Sequence, residues 1–320
     1  MKKLLIILLI LLSGHMTAGA QAGRNDWMAG LSDDTPVCRL AIPGTHDSGT
    51  AGVRFPVRRY ARTQNMDIGE QWDAGIRFFD LRPKLTGGEL RIYHGPANCH
   101  ITFSEALLVL RQKLELNPTE FCIVMTNNAG GGQASVDMTM EVIKNDIPAG
   151  MIAVFNANIT MADIRGRILF IHRGEPSDGI EVPGVVTRGW PGNGLSKHAR
   201  MVSAKGESAP LWVQDFFTSG GNDGDGYLNR KWEMTSQLLR DFTGADGTVW
   251  CINHTSGYTG TGIRTNIKFN AGSTNSRLLE YLQTGTVIYG IIPMDFPSRQ
   301  LIDAIIDCNL LYLSSRPTNL

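Results

Sequence analysis

Eight short apolar runs recur along the chain, and helix-like spacing fills most of the stretches between them. The runs fall at 39–42, 75–81, 90–93, 121–126, 167–172, 211–216, 248–253 and 287–294. Most are continuous rather than alternating, the pattern of strands covered on both faces. Thr102-Phe103-Ser104-Glu105 reads as a capping box that opens a helix through about Leu116, with Pro118 just past its end. Helical spacing also marks 226–242, 275–284 and 298–309. Strands in turn with helices predict a single α/β domain, an irregular (β/α)8 barrel of TIM type. An open doubly wound sheet is the alternative. No Gly-x-Gly-x-x-Gly follows the first run, which counts against a dinucleotide site. Irregularity is expected at two places. Only Thr86-Gly87-Gly88 separates the second and third runs, leaving no room for a helix, and 174–210 is rich in Gly, Pro and Ser and reads as a long loop.

The first twenty or so residues predict export. Lys2 and Lys3 precede an unbroken apolar run from Leu4 to Leu12, and Ala18-Gly19-Ala20 supplies small residues at cleavage-site spacing. That run is too short to span a bilayer core of ~30 Å. The expectation is a signal peptide over 1–20 and a catalytic barrel over 21–320, secreted or periplasmic. Thirty basic residues balance thirty acidic ones, so no nucleic-acid partner is expected. A monomer that meets a membrane only at its surface is the expected assembly. The odd set Cys38, Cys99, Cys122, Cys251 and Cys308 has no zinc-site spacing and reads as structural, with room for one disulfide in an exported protein but not for a disulfide scaffold.

In a TIM-type barrel, chemistry gathers where strands end and loops begin. Ile42-Pro43-Gly44-Thr45-His46-Asp47-Ser48-Gly49-Thr50 follows the first run, and Phe79-Asp80-Leu81-Arg82 follows the second. The third ends in Tyr93-His94-Gly95-Pro96 and the last in Pro293-Met294-Asp295. Two histidines, an arginine and several aspartates thus point at one rim. That set suits in-line attack at phosphorus. One imidazole takes the proton of the attacking hydroxyl, and the other protonates the leaving oxygen. A carboxylate beside a ring fixes its tautomer, and an arginine fork meets charge on the non-bridging oxygens. Alone, each motif also reads as a cap or a turn.

Together these motifs resemble the catalytic X-box of the bacterial phosphatidylinositol-specific phospholipases C. The resemblance continues in order through Gly166-Arg167-Ile168-Leu169, Val213-Gln214-Asp215, Ile252-Asn253 and Asp295. It implies that His46 is the general base on the inositol 2-hydroxyl, paired with Asp295. It implies that His94 is the general acid for the diacylglycerol oxygen, assisted by Asp47. Arg82 would hold the phosphate and Asp80 would help hold the site. Arg173 and Asp215 would contact the inositol hydroxyls, with Phe217 stacking on the ring. The products would be diacylglycerol and a 1,2-cyclic inositol phosphate, which water opens more slowly.

The resemblance also bears on cofactors. Calcium-dependent relatives place the metal where this chain has Arg82, so no metal and no other cofactor is expected. The acidic stretch Asn222-Asp223-Gly224-Asp225-Gly226 resembles a calcium loop only briefly, since Trp232 falls at its closing position. Two positions depart from the family pattern. Asn127-Asn128 stands where a lysine often contacts the sugar, and Phe217 stands where a tyrosine is usual. Phosphatidylinositol and glycosylphosphatidylinositol lipids both stay open as substrates. Arg54-Phe55-Pro56-Val57-Arg58-Arg59-Tyr60-Ala61-Arg62 reads equally as a lipid-docking segment or as a solvated loop whose arginines pair with carboxylates. His100, His172, His198 and His254 read as structural. Two other classes compete: a metal-assisted glycerophosphodiesterase, which lacks its acidic ligands near His46, and a non-catalytic inositide-binding protein.

Overall fold

Twelve strands form among the described residues: β1 (Ala41–Thr45), β2 (Phe78–Leu81), β3 (Pro83–Thr86), β4 (Glu89–His94), β5 (Ala97–Thr102) and β6 (Cys122–Thr126). They continue with β7 (Ile168–His172), β8 (Val185–Arg188), β9 (Leu195–Ser203), β10 (Ser208–Gln214), β11 (Trp250–Asn253) and β12 (Gly290–Met294). The structure is a computed structural model that describes residues 24–128, 130–220, 224–244, 247–260, 262–263 and 266–314. The expected signal peptide over 1–20 lies outside the described residues. Nine strands close into a barrel in the order β1-β12-β11-β10-β9-β8-β7-β6-β2. All neighbours are parallel except β9, which runs antiparallel to both β8 and β10. The TIM-type barrel is therefore present, and irregular.

Two expectations about its strands need correction. The run 90–93 belongs to β4, which lies outside the barrel in a separate antiparallel sheet β3-β4-β5. Its alternation shows why: Leu90 and Ile92 are buried while Arg91 and Tyr93 are partly exposed, the period-two pattern of a sheet with one wet face. The barrel gains β8 and β9 instead, both inside the stretch 174–210 that reads as loop. On β9 the residues buried are Ala199 and Met201, so its apolar signal is thin. By contrast β1, β6, β7 and β12 are buried at every position, as continuous runs predict.

Helices cover the barrel: α1 (Arg58–Ala61), α2 (Ile68–Asp73), α3 (Phe103–Leu116), α4 (Gly132–Asp146), α5 (Met161–Ile164), α6 (Gly224–Asp241), α7 (Ile267–Gln283) and α8 (Arg299–Ser314). The capping box at α3 forms in full. The Thr102 hydroxyl accepts the Glu105 N–H at 3.1 Å, and the Glu105 carboxylate accepts the Thr102 N–H at 2.7 Å. Phe103, Ala106, Leu107, Leu110 and Leu114 form its buried stripe. Asp225 and Gly226 lie in the first turn of α6, while Asn222 and Asp223 fall outside the described residues. All five cysteines are buried and none is bonded to another.

The end of the barrel opposite the histidines is closed by a buried ion pair. The Arg77 guanidinium donates to Glu120 Oε2 at 2.9 Å and to the carbonyls of Trp72, Ile76 and Asn25 at 3.0, 2.8 and 2.7 Å. It also lies 3.9 Å from the centre of the Trp72 ring. Glu120 Oε1 accepts the Met28 N–H at 2.9 Å, which ties the segment Arg24–Gly30 across the opening. Every group facing Glu120 is a donor, so a glutamine there would set an amide NH2 against another N–H and leave Arg77 unpaired. Glu120→Gln is expected to cost about 3–5 kcal/mol of stability, read as a lowered midpoint in urea. A midpoint within error of wild type would refute that account of the closure.

Candidate active site

The site assembles at the carboxyl ends of the barrel strands. His46 directly follows β1, Arg82 follows β2, Arg173 follows β7, Asp215 follows β10 and Asp295 follows β12. His94 arrives differently, as the last residue of β4 in the outer sheet. His46, Arg82, His94, Asn127, Arg173, Asp215, Phe217, Tyr258 and Asp295 line one cleft of about 430 Å³.

The loop after β1 is fixed by hydrogen bonds to β2. The Ser48 N–H donates to the Asp80 carbonyl at 2.8 Å, and the Asp80 N–H donates to the Ser48 hydroxyl at 2.8 Å. Asp47 is held at φ 46°, in the left-handed region that a side chain adopts only when its surroundings enforce it. Its N–H donates to Asp80 Oδ2 at 3.2 Å. Gln64 then locks the next residue back by donating to the carbonyls of His46 and Met294 at 2.7 and 2.8 Å.

This framework sets the two rings. His46 Nδ1 donates to Asp295 Oδ1 at 2.8 Å, which turns Nε2 toward the cleft. His94 Nδ1 donates to the Ala61 carbonyl at 2.7 Å and likewise presents Nε2. The ring centroids are 6.4 Å apart and nearly perpendicular. One oxygen of the buried Asp47 carboxylate lies 3.3 Å from His46 Nε2 and 3.5 Å from His94 Nε2. Beside them Arg82 reaches Asp47 Oδ1 through Nε at 2.7 Å and Asp80 Oδ2 through Nη2 at 3.0 Å.

The electrostatics follow from this packing. Burial disfavours a charged His46, but Asp47 and Asp295 outweigh it and the pKa is pushed up to about 9. Arg82 Nη2 also sits 2.7 Å from His46 Nε2, a contact that requires a lone pair on that nitrogen. The two facts belong to different protonation states. The short contact is that of the neutral ring; once Nε2 carries a proton, the guanidinium must swing away. Burial opposes charge on Arg82 too, yet Asp47 and Asp80 hold it firmly protonated.

The other half of the cleft holds the remaining expected residues. Arg173 Nη1 is 3.7 Å from Asp215 Oδ2. Trp190, from the connection between β8 and β9, donates its ring N–H to Asp215 Oδ2 at 2.9 Å and lies 4.3 Å from the Arg173 guanidinium. Asp215 stays below the usual carboxylate range despite burial, with His254, Arg173 and the Trp190 N–H beside it. Asp80, which the resemblance casts as helping to hold the site and as part of the substrate-binding set, is fully buried and is not among the cleft-lining residues; it grips Arg82 from behind. Two neighbours escaped the sequence reading, Trp190 and Tyr258, while His254 reads there as structural. Burial pushes the His254 pKa down to about 3, so a neutral ring stands edge-on to His46 at 6.0 Å.

His46, Asp47 and Asp80 bring one ligand atom each within 4.8 Å of one another, a grouping that suits a cation. Arg82 contacts all three, so its guanidinium already sets a positive charge beside them.

A TIM-type barrel with paired histidines, an arginine and their carboxylates at its mouth holds the groups that in-line cleavage of a phosphodiester can use. No family model matches the chain. Among curated relatives, 1-phosphatidylinositol phosphodiesterase of Listeria monocytogenes is 25% identical over 295 residues, covering 88% of this chain and 84% of that protein. The enzyme of the same name from Staphylococcus aureus is 27% identical over 183 residues, covering 53% of this chain and 56% of that one. A solved structure of phosphatidylinositol-specific phospholipase C from Staphylococcus aureus superposes with a TM-score of 0.76 at 22% identity, covering 90% of this chain and 98% of that one. The resemblance to the bacterial phosphatidylinositol-specific phospholipases C therefore extends over nearly the whole barrel.

Proposed function

We propose that the chain is an exported, metal-independent phosphatidylinositol-specific phospholipase C. The observation that carries this reading is the meeting of His46 and His94 across one oxygen of Asp47, with Arg82 alongside. Neutral His46 takes the proton of the inositol 2-hydroxyl, whose oxygen attacks phosphorus. Asp295 stabilises the imidazolium that forms. Arg82 follows the charge on the non-bridging oxygens. His94, its outer nitrogen tied to Ala61, delivers its Nε2 proton to the departing diacylglycerol oxygen. The products are diacylglycerol and inositol 1,2-cyclic phosphate. In a slower second step the roles reverse: His94 activates water and His46 returns a proton to the 2-oxygen. Glycosylphosphatidylinositol lipids share the reacting group and fall within the same proposal.

Access to lipid is assigned to residues 54–62. Phe55 is 91% exposed, and Arg54, Arg58, Arg59 and Tyr60 are exposed beside it. Among the described residues none of Arg54, Arg58, Arg59 and Arg62 is in salt-bridge contact with a carboxylate, which favours lipid docking over a solvated, ion-paired loop. Phe55, Arg58, Arg59, Tyr60 and Lys268 share a groove of about 640 Å³, a basic and aromatic surface suited to anionic headgroups. No helix among the described residues is long and apolar enough to cross a membrane.

Phosphorus NMR of phosphatidylinositol vesicles with the mature protein in excess EDTA tests the proposal. A growing cyclic inositol phosphate signal is expected. Turnover only after calcium or magnesium is added would overturn metal independence. Inertness under both conditions would overturn phosphatidylinositol as the substrate.

A further inference from the structure

We infer that Tyr258 is a specificity-determining residue of this cleft, supplying from the end of β11 the substrate-binding hydroxyl that Phe217 lacks at the end of β10. The inference rests on the phospholipase C reading above and names a contact within it.

The barrel order makes the two aromatics neighbours. β10 and β11 pair in parallel, so the loops that leave them emerge side by side at the catalytic mouth. Phe217 lies three residues past the end of β10 and Tyr258 lies five past β11. The Tyr258 N–H donates to the Phe217 carbonyl at 2.8 Å, which clamps one loop to the other. Beneath this clamp the Tyr227 hydroxyl donates to the Phe217 carbonyl at 3.1 Å. Gly257 makes room for it, because any side chain at that position would overlap the Tyr227 hydroxyl. The clamp is thus built from a helix side chain below and a backbone bond above, and both aromatic rings line the same cleft as His46 and Asp215.

Their chemistry is complementary. A cyclohexane polyol has C–H faces, which an aromatic ring covers, and a hydroxyl edge, which needs donors and acceptors. Phe217 is half-buried and offers only a face. Tyr258 is 44% exposed, and its hydroxyl has no hydrogen-bond partner among the described residues. A phenol that can both donate and accept, uncommitted within the protein and standing at the cleft, is matched to a ring hydroxyl of the substrate. Because the hydroxyl holds nothing in the protein, removing it alone leaves the packing untouched.

The test uses soluble myo-inositol 1,2-cyclic phosphate, which takes membrane binding out of the measurement. Wild-type turnover of this compound checks the underlying reading; an inert wild type would overturn that reading and the inference with it. Given turnover, Tyr258→Phe is expected to raise KM about fivefold, the loss of one neutral hydrogen bond, with kcat within about twofold. Adding Phe217→Tyr to Tyr258→Phe is expected to recover most of that loss, since it returns a hydroxyl to the same wall. An unchanged KM in Tyr258→Phe, or a double variant no better than the single one, would overturn the inference while leaving the enzyme reading in place.

Discussion

His46→Ala and His94→Ala are each expected to lower kcat on phosphatidylinositol by about 10³–10⁴-fold, at the upper end of what a positioned acid or base contributes. Neither loss can be made up locally. The other ring near His46 is His254, kept neutral by burial, and the ring beside His94 is His46 itself. The two variants differ on a substrate with an activated leaving group. A nitrophenyl inositol phosphate needs little protonation of its leaving oxygen, so it should restore much of the rate in His94→Ala and none in His46→Ala. The pH profile carries the sign of the carboxylate effect. The free enzyme must lose a proton from His46 before it can act as base, so kcat/KM rises with pH. The rising limb should centre above the usual histidine value, because Asp47 and Asp295 hold that proton. Either variant retaining near-wild-type turnover would sink the two-histidine mechanism.

Arg82→Lys is expected to lower kcat/KM by about 10³-fold although charge is conserved. The guanidinium spans Asp47 Oδ1, Asp80 Oδ2 and the space beside His46 Nε2 with separate nitrogens in one plane. An ammonium is a point charge on a flexible stem and cannot meet both carboxylates and a phosphate oxygen together. The deficit should appear mostly in kcat, since charge on the non-bridging oxygens grows toward the transition state. Circular dichroism and the urea midpoint separate this from misfolding, because Asp47 and Asp80 are buried and depend on the same cation. A variant that folds and keeps more than a tenth of wild-type kcat/KM would show that the fork is not used on the phosphate.

Much of this site was legible because its residues sit immediately after continuous apolar runs. His46, Arg82 and Asp295 each follow a strand that the run pattern marks, so a barrel assignment alone sends them to one rim; Arg173 and Asp215 come only with the resemblance, although they too follow strands of the barrel. The weaker places share a physical cause. β8 is four residues long and β9 is half-wet, so neither leaves an apolar run, and the connection between them that carries Trp190 reads as a Gly-rich loop. The run 90–93 sends His94 to the same rim as a barrel strand would, whereas that run is β4 of the outer sheet. Asp80 reads as a rim residue from its place near the end of the second run, yet β2 is buried at every position and that carboxylate grips Arg82 from within the barrel. Tyr258 depends on where a loop crosses its neighbour, a bond between residues 217 and 258 that no local pattern encodes.

The hydrogen bond from His94 to Ala61 ties the chemistry to the protein's outer skin. Ala61 closes α1, the short turn that displays Arg58, Arg59 and Tyr60 to the outside. Its carbonyl is also the group that fixes the His94 tautomer and the aim of the reactive nitrogen. A shift of α1 by even an ångström, whether by contact with a surface or by a change in its arginines, would therefore be felt at His94 with no element in between. In mechanical terms the segment is both fender and gunsight, and a variant there is free to alter turnover on a soluble ester as well as attachment to a vesicle.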